Sequence, residues 1–158
     1  MISITTNIEG NNYMRFVSHS AHETQIIAKA FARGLEPGSI ILANGDLGAG
    51  KTAFAKGLAL GLGIKQIVNS PTFNIMKVYQ GEKLKLYHID AYRLEDPDSI
   101  SDIGLEEALG EKDGISFVEW PKFIAPIIAQ YKHYYEIRVN VLDNSDRTIE
   151  INEVIRND

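Results

Sequence analysis

The 158-residue chain has no cysteine, which excludes disulfides, thiolate zinc sites, iron–sulfur clusters and thiol nucleophiles. Long apolar runs are missing too. Ile40 to Ala43 and Phe123 to Ala129 are the longest, far short of the roughly 20 residues that span a bilayer. The first residues lack a basic start followed by an apolar stretch, so no export signal is expected. The chain therefore reads as soluble and cytoplasmic, with no membrane role. It also lacks internal repeats and low-complexity linkers. A chain of this length buries roughly 70% of its unfolded surface, so a single domain spanning 1–158 is expected.

The formal net charge is only −5, but it is unevenly spread. Lys51 to Arg93 holds seven bases against Glu82 and Asp90, a local +5. Glu95 to Asp113 holds eight acids against Lys112, a local −7. Either segment can be a solvated face; the sharper reading brings the basic one to an anion.

Ile2 to Thr5 and Arg15 to Val17 read as short strands around Glu9-Gly10-Asn11-Asn12. Ala21 to Gly34 reads as an amphipathic helix with a cap at His19-Ser20. Ser39 to Ala43 has the compact apolar character of a strand buried on both faces, and Lys51 to Leu62 carries one helical stripe. Phe73 to Tyr79 and Leu84 to Asp90 form a predicted hairpin. The acidic segment, with Ile100, Ile103, Leu105, Ala108 and Leu109, is expected to hold a short helix that Gly110 stops. Ile115 to Val118 follows as a strand. Phe123 to Tyr131 carries a helical stripe despite Pro126, and Tyr135 to Leu142 with Thr148 to Ile155 closes the chain as a second hairpin. Helices alternating with strands and interrupted by hairpins imply an α/β fold with a mixed, partly antiparallel sheet.

Between the buried strand and the next helix lies Gly45-Asp46-Leu47-Gly48-Ala49-Gly50-Lys51-Thr52, a fit to G-x-x-x-x-G-K-[ST]. Background frequencies give on the order of a few accidental matches per thousand chains of this length, and the strand–loop–helix context lowers that further. Glycine lets successive amides turn into one concavity that surrounds phosphate oxygens, and the helix start adds its positive end. Lys51 can reach the β- and γ-phosphates, and the Thr52 hydroxyl can bind the accompanying Mg²⁺. ATP or ADP with Mg²⁺ is the expected cofactor set.

Such sites need a strand-end carboxylate near the loop, and two are available: Asp90 after Leu86 to Ile89, and Glu119 after Ile115 to Val118. Either could hold the metal or activate water. The order loop, helix, threonine, antiparallel pair, aspartate matches that of small GTPases, which makes Thr72 in Ser70-Pro71-Thr72-Phe73 a candidate γ-phosphate sensor, with Pro71 restricting the turn. Arg93 can meet phosphate or pair with the acidic segment, Trp120 can act beside Glu119, and His88 reads as a hairpin residue. The chain has no Asn-Lys-x-Asp tetrad for guanine, no Leu-Ser-Gly-Gly signature of transporter ATPases and no arginine-rich kinase lid. The residues alone leave three readings open: an ATPase, a small-molecule kinase with Asp90 as base, and a nucleotide-gated binding module.

Taken together, the glycine loop, Ser70-Pro-Thr-Phe73, Tyr87-His-Ile-Asp-Ala-Tyr-Arg93, Val118-Glu-Trp-Pro121 and the Glu23-Thr24 helix start resemble the bacterial TsaE (YjeE) family of small ATPases, over nearly everything but the last hairpin. The resemblance implies a P-loop NTPase-like fold and a role in threonylcarbamoyladenosine modification of tRNA beside the anticodon. It implies action on the TsaB and TsaD proteins through ATP hydrolysis, with any tRNA contact unspecified. It also implies phosphate and metal roles for Lys51 and Thr52, a switch at Thr72, a requirement for Asp90 and Glu119 with Glu119 favoured as the direct metal ligand, and importance for Trp120. Adenine contacts are expected in the Asn11 to Thr24 segment, including Thr24, and near Lys132.

Overall fold

The computed structural model describes residues 2–6, 12–46, 49–69, 71, 75–93 and 104–156, with 2–6 and Arg93 described by their backbone. Leu47, Gly48, Ser70, Thr72, Phe73, Asn11 and the side chain of Arg93 lie outside the described set, as does 95–103 of the acidic segment.

All the described strands form one eight-stranded sheet in the order β1-β2-β8-β7-β3-β6-β5-β4. The strands are β1 (Ile2–Thr6), β2 (Asn12–Ser18), β3 (Ile40–Asn44), β4 (Met76–Gln80), β5 (Lys85–Asp90), β6 (Gly114–Glu119), β7 (His133–Val141) and β8 (Arg147–Ile155). The centre, β7-β3-β6-β5, is parallel, and antiparallel pairs flank it on both sides. Continuous apolar sequence dictates this centre. Every residue of β6 is buried, as are Ile40 to Ala43 of β3, which suits strands covered on both faces.

Alternation along β3 divides the core into two layers. Ile41 and Ala43 join Phe117, Ile137 and Val139 under helices α1 (Ala21–Arg33) and α2 (Lys51–Gly61). Ile40 and Leu42 join Ile89 and Val118 on the opposite face, covered by α3 (Leu105–Ala108), a 3-10 turn (Pro121–Ile124) and α4 (Ala125–Ile128). The result is a three-layer, mixed-sheet α/β fold.

The two long helices meet through small residues. Thr24, Ala28 and Ala32 recur on one face of α1 and are buried. Opposite them stand Gly57 and Gly61, where an added Cβ would lie 2.6 Å from the Ala28 Cβ and 2.7 Å from the Ala32 Cβ respectively.

Element boundaries differ from expectation at several points. β2 begins at Asn12 rather than Arg15, because its pairing with β1 carries the ladder to Thr6–Asn12. The stripe after Trp120 is a 3-10 turn followed by a single α turn, since Pro121 and Pro126 supply no N–H for a continuous helix. In the acidic segment the described helix is confined to Leu105–Ala108. No helix among the described residues is long and apolar enough to cross a membrane.

Candidate active site

The central strands are parallel, so their C-terminal ends share one edge of the sheet, and the glycine loop leaves β3 at that edge. α1 and α2 start differently. Ser20 Oγ accepts the Glu23 N–H at 3.0 Å, and the Glu23 carboxylate accepts the N–H of His19, the residue before the cap, at 2.8 Å, so side chains close the start of α1. α2 starts at Gly50, with φ of 116°, no side-chain cap and no acid in its first turn. The dipole of such a helix favours an anion at this end. Gly45, with φ of 149°, passes so close to β7 that a Cβ would lie 2.6 Å from the Val139 carbonyl oxygen. Both glycines are required by geometry.

Lys51 opens α2 almost fully buried, at 5% exposure. Its Nζ donates to the Gly45 carbonyl at 2.8 Å and sits 4.0 Å from the centre of the Trp120 ring. Burial lowers the ammonium pKa below its ordinary value, against the opposing pull of Glu119, Asp90 and Asp46. Trp120 holds its place with a left-handed φ of 57°, rare outside glycine, immediately before Pro121. Tyr92 packs against it with ring centroids 5.1 Å apart.

The two carboxylates arrive on neighbouring strands. Asp90 pairs in register with Glu119, and Glu119 with Ala43 of the loop strand. β6 thus puts Glu119 next to the loop, and Asp90 stands one strand further out. Desolvation raises the Asp90 pKa; the Tyr92 N–H, donating to Oδ1 at 3.0 Å, partly offsets this, and Glu119 adds to the rise. The Thr52 hydroxyl follows Lys51 in the first turn of α2. Hydroxyl and carboxylate oxygens are the hard donors that Mg²⁺ takes, with water and phosphate completing its shell. Asp46, Lys51, Trp120, Lys122 and Arg138 line a cavity of about 280 Å³ at this edge, whose three cations suit an anionic occupant. Ala49 and Gly50 continue the loop, and Pro71 is buried beyond the Val68–Asn69 segment that the Tyr79 hydroxyl anchors.

Not every expected residue is brought to this edge. Thr24 is 1% exposed and its hydroxyl is shared with Ser18 Oγ at 2.7 Å, so it secures the entry to α1 instead of facing a ligand. Lys132 precedes the first residue of β7, whereas the loop adjoins Arg138 and Val139 near that strand's other end. The direction of β7 therefore separates Lys132 from the loop by most of a strand length.

Two residues near the loop escape the sequence reading. His88 is fully buried between the sheet and α2, with Nε2 2.9 Å from Glu119 Oε2 and its ring edge-on to Phe117. An ionised carboxylate only accepts, so Nε2 donates; Nδ1 is buried without a partner among the described residues. The signal was the spacing His88-x-Asp90, which puts both on one face of β5. Arg147, on β8, donates from Nε to the Ala49 carbonyl at 2.8 Å, a contact spanning 98 positions that no local pattern announces. A larger, mainly apolar cavity of about 690 Å³ lies between α1 and the β2-β8-β7 wing, lined by no described residue of the glycine loop.

A glycine loop between a buried strand and an uncapped helix, with carboxylates on the next two parallel strands, defines the α/β fold of phosphate-loop NTPases. A family model described as "Threonylcarbamoyl adenosine biosynthesis protein TsaE" matches residues 18–149, and the chain belongs to this family, which serves tRNA threonylcarbamoyladenosine biosynthesis. The TsaE protein of Treponema pallidum is 41% identical over 136 residues, covering 86% of this chain and 99% of the relative. That of Bacillus subtilis is 49% identical over 108 residues, covering 68% and 66%. A crystal structure of Bacillus subtilis YdiB superposes with a TM-score of 0.77 at 34% identity, over 91% of this chain and 87% of that one.

Proposed function

We propose that this protein is a cytoplasmic, Mg²⁺-dependent ATPase of low intrinsic rate that drives the TsaB and TsaD proteins in threonylcarbamoyladenosine formation. The observation that carries the reading is the uncapped start of α2 beside Lys51, with Glu119 and Asp90 in register on the two adjoining strands. In this reading the loop amides and Lys51 bind the β- and γ-phosphates, and Lys51 leaves the Gly45 carbonyl to do so. Mg²⁺, when bound, neutralises charge on the phosphate oxygens. Glu119 is the direct metal-side carboxylate because β6 adjoins the loop strand, and Asp90, one strand out, acts through water. Thr72 and Ser70 belong to the segment that would sense the γ-phosphate, and Arg93 and Trp120 to the surface a partner would read. The basic cavity serves the triphosphate, so tRNA need not be touched directly.

A partner-completed site accounts for a low basal rate, since an arginine supplied in trans is worth about 10³–10⁵ in turnover. ATP turnover of the pure protein, alone and with TsaB and TsaD, tests the reading: strong stimulation is expected. Phosphate transfer to a metabolite would instead make the protein a kinase. Partner binding indifferent to nucleotide and to Glu119→Ala would leave only a binding module. Lys51→Ala is expected to abolish nucleotide binding in calorimetry, and retained affinity would overturn the loop assignment.

A further inference from the structure

The closing β7–β8 hairpin lends Arg138 to the basic cavity, and its other strand grips the loop. Arg147 begins β8, paired across the sheet with Ser18 of β2 on one side and Val141 of β7 on the other, so its backbone is fixed by two strands. Its Nε donates to the Ala49 carbonyl at 2.8 Å, and Nη1 donates to the Ser145 carbonyl. Ser145 offers that carbonyl from a left-handed φ of 71°; Trp120 is the other described non-glycine residue with positive φ. Strain of this kind persists where surrounding contacts impose it. The same turn is tied to the start of α1 through Asp146 Oδ2, 2.9 Å from His19 Nδ1.

The consequence follows from peptide planarity. The Ala49 carbonyl and the Gly50 N–H belong to one planar trans unit and point in opposite directions. Drawing the carbonyl toward Arg147 turns the Gly50 amide away from the hairpin. Gly50, at φ of 116°, takes that orientation without a Cβ penalty, and the same residue is the N-cap of α2. We propose that Arg147 is a positioning residue for nucleotide binding, orienting the Gly50 amide through its hold on the Ala49 carbonyl. This rests on the phosphate-binding reading of the loop.

The fork is what matters. Lysine keeps the charge but cannot bridge two carbonyls in a fixed plane. The test uses the full chain as wild type, Arg147→Lys and Arg147→Met, with ADP affinity by calorimetry and amide hydrogen exchange over residues 49–54 without nucleotide. A charge-assisted hydrogen bond is involved, so about tenfold or greater weakening of ADP binding is expected in both variants. Faster exchange confined to the loop and first turn of α2 should accompany it, with the unfolding midpoint of Arg147→Lys near wild type. Wild-type affinity and exchange in Arg147→Lys would overturn the proposal, because charge alone would then suffice. If Arg147→Met does not fold, Arg147→Lys decides. Failure of the wild type to bind ADP would refute the phosphate-binding reading, whereas exchange in the nucleotide-free protein still tests the hold of Arg147 on the loop.

Discussion

Gly57→Ala probes the contact on which the position of α2, and therefore of Lys51, depends. A Cβ at residue 57 would stand 2.4 Å from the Gln25 carbonyl oxygen, 2.6 Å from the Ala28 Cβ and 2.8 Å from the Gln25 Cα. Ordinary contact begins at 3.4 Å, so the helices must separate locally by roughly 1 Å, and the obstacles are rigid helix backbone and Cβ atoms. Overpacking of this kind costs about 1–3 kcal/mol, here near the upper end. Alanine returns about 1 kcal/mol through its better helix propensity. The net is about 2 kcal/mol of destabilisation, or a fall in Tm of ~4–8 °C for a chain of this size. Urea and thermal unfolding measure it, and Gly34→Ala is the control. Gly34 has φ of −96° and only the Phe31 carbonyl oxygen at 3.8 Å in the path of a Cβ, so its Tm should stay close to wild type. A Gly57→Ala protein as stable as wild type would refute the close-packing argument. Weakened ADP binding alongside the stability loss is expected, because α2 carries Lys51 at its first turn.

Replacing the buried donor in His88→Leu should leave the Glu119 carboxylate without its imidazole partner, at a cost of about 1–3 kcal/mol in urea unfolding, and raise the Mg²⁺ concentration needed for ATP turnover. His88→Gln, which keeps an N–H donor, should recover much of both, and equal behaviour of the two variants would show that the bond is idle. Asp90→Asn should remove activity while leaving the nucleotide-free protein as stable or more stable. The folded-state pKa of Asp90 is raised above 3.8, so ionisation costs stability as pH climbs from 3.8 through the folded value. The Tm advantage of the variant should therefore widen across that window and vanish below it; a lower Tm at neutral pH would contradict the sign.

Much of the site was legible because its parts are local. The glycine loop is one contiguous segment, and Asp90 and Glu119 each end a short apolar run whose burial dictates a strand. Their adjacency follows from strand order, which a parallel α/β pattern restricts to few arrangements. His88 was hidden because a histidine in a hairpin gives no sign of what the neighbouring strand places opposite it. Arg147 was hidden because its partner lies 98 positions away, across antiparallel pairings that only the completed sheet creates. The separation of Lys132 from the loop was hidden for the same reason: it depends on the direction of β7, which hydrophobic periodicity does not report.

The chain holds one tryptophan, and it lies against the lysine that a triphosphate would recruit. An ammonium 4.0 Å from an indole perturbs the excited state of the ring, so the loop carries its own optical probe. When Lys51 swings from the Gly45 carbonyl toward a phosphate, Trp120 emission should change in intensity and wavelength. Loop occupancy can then be followed in real time on the unlabelled protein, with no other indole contributing background.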